Sequence, residues 1–201
     1  MPNSEPHRLL AACPDFDSIS GWLSLEEAEY LFLAASRVAT GVIVEVGSAN
    51  GRSTIALSMG ARAGFANAVY AIEPHEPFVG VYGGRFDAGN RRLFFETMLR
   101  FRGWENIRLI NVSSDVICPG WRLPVGLLWI DGDHRYEAVR RDFDAWRPHL
   151  AQDSIVAFDD ASDPNVGPHR VISECLASGE FRHVASIGKI TTIMRRLPNT
   201  C

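Results

Sequence analysis

The sequence predicts an α/β fold, a doubly wound and mostly parallel sheet covered by helices on both faces. Three observations predict it. Short apolar runs alternate with segments of helical period along most of the chain. Runs such as VIVEV at 42–46 are apolar almost throughout, as buried parallel strands are. The chain closes with two apolar runs joined at a glycine, which add an antiparallel hairpin.

Residues 1–20 are polar and proline-containing and read as a loose arm or lid, leaving 21–201 as a single domain. SLEEAEYLFLAASRV places Ser24 and Glu27 at capping-box spacing, and Ala28, Leu31, Phe32 and Ala35 repeat at helical period. VIVEV (42–46) is the first strand; a glycine-bearing turn and a helix from near Ser53 follow. AVYAI (68–72) is the second strand. A glycine-rich loop through Gly84 leads to a helix near 88–102 and the strand NIRLINV (106–112). GLLWI (126–130) is the fourth strand, before a helix with Tyr136, Val139, Phe143 and Trp146 on one side. SIVAF (154–158) is the fifth, HRVISECLA a helix, and FRHVASIGKITTIMRR two strands meeting at Gly188. Seven strands in this order make a Rossmann-like sheet with a C-terminal antiparallel hairpin.

Composition narrows the functions. With 201 residues, 46% of them hydrophobic and 22% charged, the chain can bury one sizeable core. A net charge of −4 leaves no electrostatic footprint for nucleic acid, and Arg91, Arg92, Arg100 and Arg102 suit a solvated helical face. Cys13, Cys118, Cys175 and Cys201 stand far apart, with no CxxC pair and no zinc spacing. With no signal peptide and no 18-residue apolar run, a reduced, cytoplasmic protein with no membrane partner is expected.

In open α/β sheets ligands bind beyond the carboxyl ends of the strands, where the strand order reverses. The turn EVGSANGRST lies at such an end. Gly47 and Gly51 let the backbone approach a ligand closely. Ala49 breaks the GxGxxG dinucleotide pattern and Arg52 breaks the phosphate-loop ending. An acid, Glu45, followed by GxxxG suits a ligand with a cationic or amine-bearing part; a plain strand-to-helix turn is the alternative. Glu73 lies about 20 residues beyond the glycines, where an acid accepts both ribose hydroxyls. NVSSDV puts Ser114 and Asp115 where an adenine would lie. Together they describe a nucleoside with a charged tail and no phosphates.

LLWIDGDHRYEAVRRDF places Asp131, Asp133 and His134 at the end of a central strand, with the two aspartates expected in the crevice. VAFDDAS adds Asp159 and Asp160 if the two strands are neighbours. Three converging carboxylates, Asp131, Asp159 and Asp160, repel one another unless a cation sits between them, and oxygen ligands suit Mg²⁺ or Ca²⁺ better than zinc. Taken singly, each is equally a helix cap. His134 is the candidate general base, or a capping histidine.

These motifs resemble the class I S-adenosylmethionine-dependent methyltransferases, and more narrowly the group called cephalosporin-hydroxylase-like or macrolide-sugar O-methyltransferases. GWLSLEEAEYL, VEVGSANGRST, AIEPHE, IDGDHRYEAVRRDF and AFDDA carry the resemblance, in family order, over roughly residues 20–196. It implies that Glu45, Gly47, Ser48, Gly51, Ser53, Glu73, Ser114, Asp115 and Asp131 bind S-adenosyl-L-methionine, that Asp131, Asp159 and Asp160 hold Mg²⁺, and that His134 is the catalytic base. The methyl would pass to a hydroxyl of a small molecule: a sugar, a natural product or a phenol. Acceptor choice is expected in residues 1–20 and in the loops 74–88 and 161–168; a homo-oligomer is compatible with the sequence. Two other readings remain: a metal-dependent hydroxylase or hydrolase on the same fold, and a non-catalytic nucleoside-binding module.

Overall fold

The computed structural model describes residues 7–196. In chain order its elements are α1 (Arg8–Ala12), α2 (Leu25–Ser36), β1 (Val42–Val46), α3 (Arg52–Ala63), β2 (Val69–Ile72), β3 (Phe78–Val79), β4 (Arg85–Phe86) and α4 (Ala88–Arg100). They continue with β5 (Ile107–Ile110), α5 (Ser114–Ile117), β6 (Val125–Ile130), α6 (Tyr136–Trp146), β7 (Leu150–Phe158), α7 (Gly167–Ala177), β8 (Phe181–Ile187) and β9 (Ile190–Arg195). Seven strands form one sheet in the order β5-β2-β1-β6-β7-β9-β8. β5, β2, β1, β6 and β7 are parallel, and β9 runs antiparallel to both β7 and β8.

Strand parity divides the core. Ile43, Leu127, Trp129 and Ala157 pack with α1 to α4 on one face. Their neighbours Val44, Leu128, Ile130, Val156 and Phe158 pack with α6 and α7 on the other. Successive strand side chains point to opposite faces, so an all-apolar strand is the pattern this sheet requires. Ser24 caps α2: its hydroxyl accepts from Glu27 N and Glu27 accepts from Ser24 N, the full capping box.

Two segments differ from the sequence expectation. Within the described part of the arm, residues 7–20, the chain is packed: Leu9, Cys13, Phe16 and Ile19 are buried in the α1–α4 layer. Their spacing of three to four residues was the signal, hidden among polar residues and Pro14. Arg52 holds this segment, donating to the carbonyls of Leu23 (2.8 Å) and Ile19 (2.7 Å) and to Asp17 Oδ1 (2.8 Å). The glycine-rich loop contains the small hairpin β3–β4, in which Phe78 stacks on Phe86 at 4.7 Å. Cys13, Cys118 and Cys175 are free and buried; Cys201 lies outside the described residues. Among the described residues no helix is long and apolar enough to cross a membrane.

Candidate active site

The strand order reverses between β1 and β6. From β1 the chain proceeds outward through β2 to β5, then returns to lay β6 on the other side of β1. Val46 and Ile130 are partners at the carboxyl ends, and Asp131 N donates to Val46 O at 2.8 Å. A cavity of about 420 Å³ opens here, lined by Gly47, Ser48, Asn50, Ser53, Asp131, His134, Asp159, Asp160 and Lys189. Its outer wall is aromatic and glycine-rich: Trp22, Phe78, Tyr82, Gly84 and Phe86. That volume falls within the range of small-molecule sites. Two side-chain bonds link the surrounding loops at the rim. Tyr82 Oη donates to Asp163 Oδ2 at 2.8 Å, and Arg135 donates to Val79 O at 2.8 Å.

The expected cofactor residues divide into two groups. Gly47, Ser48, Ser53 and Asp131 line the cavity. Gly47 has φ +87°, and a Cβ there would lie 2.2 Å from Asp131 O, so the β1 turn and the β6 end meet only through glycine. Ser48 Oγ is buried without a hydrogen-bond partner, a donor left for a ligand. Glu73, Ser114 and Asp115 do not line the cavity. Glu73 instead splints the turn, its Oε2 accepting from Ser48 N and Ala49 N (3.2 Å each) and its Oε1 from His75 N (2.8 Å). The Ser114 hydroxyl accepts from Trp146 Nε1 at 3.1 Å, in the core between α5 and α6, while Asp115 is exposed. At Gly51, outside the cavity lining, a Cβ would meet Met98 Cε at 2.9 Å and Phe94 at 3.2 Å.

Glu45 is held apart from these groups. Strand parity turns it toward α3, and it is fully buried, its two oxygens accepting from Ser53 Oγ and Thr54 Oγ at 2.5 Å each. It therefore fixes the first turn of α3 to β1 and does not reach the cavity. Burial pushes its carboxyl up to about 8, with the two hydroxyl bonds working in the opposite direction. The folded protein thus keeps a proton that the unfolded chain releases near 4.5. The sign follows: this contribution to stability is complete below about 4.5 and is lost as pH rises through about 8. Glu45→Gln should flatten the decline of the urea midpoint over that window; an unaltered slope in the variant would contradict the assignment.

The acidic cluster forms, but with its own cations. β6 and β7 pair with Ile130 opposite Phe158, which brings Asp131 beside Asp159 and Asp160. His134 stands between two of the acids, Nδ1 2.8 Å from Asp160 Oδ2 and Nε2 3.4 Å from Asp131 Oδ1. Its backbone is also held, since Gly167 N donates to His134 O at 2.8 Å. Lys189 Nζ pairs with Asp159 Oδ2 and lies 3.4 Å from Asp160 Oδ1. Burial pulls His134 down, but the negative charge of Asp131 and Asp160 beside it outweighs that and raises it to about 10. Burial works to raise Asp160; the bond from His134 and the attraction of Lys189 outweigh it and hold the carboxyl below its usual range. Lys189 itself is raised, burial being overcome chiefly by Asp159 and Asp131. Asp133 faces elsewhere, bonded to Arg135 at 2.6 Å beside the start of α6.

A divalent ion requires several oxygens free to coordinate it. Ligand atoms of Asp131, His134 and Asp159 do lie within 4.8 Å of one another. However, Asp160 spends one oxygen on His134 and the other on Lys189, and the ammonium stands between Asp159 and Asp160. An ion held by the expected trio would have to occupy the place of Lys189. The residues as arranged do not fit bound Mg²⁺. Lys189 was missed in the sequence because it lies on a hairpin tip some 30 residues from the acids; Asn50 and His75 of the turn network were missed for the same lack of a motif.

Several solved structures share this architecture. The chain matches an O-methyltransferase from Bacillus cereus in complex with SAH at a TM-score of 0.68 and 15% identity, covering 97% of this chain and 94% of that one. For the O-methyltransferase TomG from Streptomyces achromogenes, involved in tomaymycin synthesis and solved with SAM, the values are 0.65, 17%, 96% and 91%. For the SAH-bound methyltransferase PaMTH1 from Podospora anserina they are 0.70, 12%, 98% and 91%. At these identities the likeness is one of fold. A family model described as a methyltransferase domain matches residues 44–161, from within β1 to just beyond the Asp159–Asp160 pair. That span is more than half of the chain and contains the glycine turn, Asp131 and His134, and the protein belongs to this family of methyltransferase domains.

Proposed function

We propose that the protein is an S-adenosylmethionine-dependent O-methyltransferase acting on a small hydroxylated molecule. The observation that carries this reading is the convergence, in one cavity at the β1/β6 switch point, of the Gly47 turn with His134. The orphaned Ser48 hydroxyl and the acid at Asp131 suit the polar, positively charged end of the cofactor. Bound there, the cofactor supplies an electrophilic methyl group on a cationic sulfur. The chain's own part is to align, exclude water and manage a proton. Alignment at about 3–3.5 Å between reacting atoms is worth several powers of ten in rate, and the aromatic wall and rim bonds serve it.

His134 is the group that manages the proton. Asp160 anchors Nδ1, and Nε2 makes no hydrogen bond, so Nε2 is the ring atom left to receive the acceptor's proton. In the resting site the two flanking acids favour imidazolium. Positive charge bound beside Gly47 and Ser48 acts against that, toward the neutral base. Mg²⁺ has no part in this reading. Titration calorimetry with S-adenosylhomocysteine tests it directly: binding to wild type without added metal is expected, and a folded protein that does not bind would overturn it.

A further inference from the structure

We propose that Lys189 is the resident cation of the acceptor pocket, keeping divalent ions out, and that the acceptor is a phenol. This rests on the methyltransferase reading above. The lysine is placed by its backbone rather than by a chance rotamer. It sits at the tip of the β8–β9 hairpin, where its N–H donates to Glu27 Oε1 at 2.9 Å and its carbonyl accepts from Ala161 N at 2.8 Å. Gly188 beside it has φ +55°, and a Cβ there would lie 2.3 Å from Glu27 Oε1, so the glycine lets the hairpin tip come this close to Glu27. Glu27 is fixed in turn by the α2 cap. One acid on α2 thus sets where the hairpin tip stops, two residues past Ile187 and directly over Asp159 and Asp160.

From that anchor the side chain reaches into the cavity, a quarter exposed, with its ammonium against both acids. A divalent ion between the same acids would have to displace the ammonium yet leave it a few ångströms away, and like charges at that range repel strongly. The cluster also has an unmet need. Asp159 is 3% exposed and its Oδ1 has no hydrogen-bond partner, which asks for a donor on a ligand.

The class of acceptor follows from the size of the charge. A metal ion can lower the pKa of a bound water from 15.7 to about 7. A single ammonium polarises less, so the acceptor hydroxyl must already be acidic. Phenols ionise near 10, as tyrosine does, whereas alcohols lie several units higher. The walls agree: Trp22 and Phe86 lie with ring centroids 5.6 Å apart, tilted at 58°, and Phe78 stacks on Phe86, so an aromatic patch lines the same cavity as the lysine. A planar ring packs favourably against such a patch.

The test uses the full chain, treated with EDTA and then titrated with Mn²⁺ or Mg²⁺ while melting temperature and heat are followed. Wild type should show no metal-dependent shift. Lys189→Met, and independently Lys189→Gln in case the first folds poorly, should bind Mn²⁺ about tenfold tighter or more, because the acids have lost their cation. With S-adenosylhomocysteine present, 4-nitrophenol followed by absorbance should bind wild type, and methyl glucoside followed by calorimetry should not; both variants should bind the phenol about tenfold more weakly, the loss expected of one charged hydrogen bond. A metal-dependent melting shift in wild type, unchanged metal affinity in both variants, or a preference for the glucoside would each overturn the proposal. Calorimetry with S-adenosylhomocysteine on the same samples separates the two claims: its failure in wild type removes the methyltransferase reading, whatever the lysine does.

Discussion

Replacing His134 with alanine should lower methyl-transfer turnover by about 10²–10⁴-fold, the usual cost of removing a general base. Affinity for S-adenosylhomocysteine should hardly change. The imidazole touches Asp131 and Asp160, and the part of His134 that supports the fold is its carbonyl, which alanine retains for Gly167 N. α6 keeps its own start, since Ala138 N and Val139 N bond to Arg135 O. A second readout separates base from scaffold. Because the resting imidazole is held protonated up to about 10, wild-type turnover should climb with pH as the ring gives up its proton. The alanine variant should lose that climb. Retained turnover with the same pH profile would reduce His134 to a link between α6 and α7.

Arg52→Ala should cost about 2–6 kcal/mol of stability, since two buried carbonyls, those of Leu23 and Ile19, would each lose their donor at about 1–3 kcal/mol. An arginine in the first turn of α3 has the wrong sign for the helix dipole, so its presence answers a need outside the helix. That need is the segment Cys13–Leu23. The guanidinium bonds the carbonyls of Leu23 and Ile19 and Asp17 Oδ1, and lies 4.6 Å from the Phe16 ring. Alanine would leave those carbonyls unpaired beside Phe16 and Ile19, which are core residues. Arg52→Lys should rescue little, because one ammonium cannot match a planar fork of donors. Asp17→Ala is the control: its carboxylate is 60% exposed, and an exposed pair of this kind contributes about 0–1 kcal/mol. The urea midpoint measures all three, and an Arg52→Ala midpoint close to that of Asp17→Ala would refute this account.

The strands were legible because a parallel sheet buried on both faces demands continuous apolar runs, and VIVEV matches β1 residue for residue. The β6–β7 acids were legible too, because the ends of adjacent parallel strands are forced together. What the sequence could not show is which polar groups satisfy each other inside. Glu45 and Ser114 carry the right chemistry at the right strand ends, yet their partners Ser53, Thr54 and Trp146 hold them in the core. Lys189 illustrates the opposite failure. Its place comes from a hairpin register and from its own backbone meeting Glu27, 162 residues away, and no local spacing encodes such a meeting. Arg52 was read only as a mismatch to a phosphate loop, since its partners belong to a segment whose polar composition disguised a buried one.

The two bonds across the cavity rim bear on how fast molecules come and go. Tyr82 to Asp163 and Arg135 to Val79 join exposed groups, and such bonds contribute about 0.5–1.5 kcal/mol each. Breaking both leaves a gap of a few kcal/mol at most, the range in which a minor conformer is populated at roughly 0.1–10%. Loop motions of this kind occur within nanoseconds to microseconds, far quicker than an enzymatic turnover of about 10 per second. On the methyltransferase reading, opening of this rim is expected to be faster than turnover, and a turnover rate that falls with solvent viscosity would contradict it.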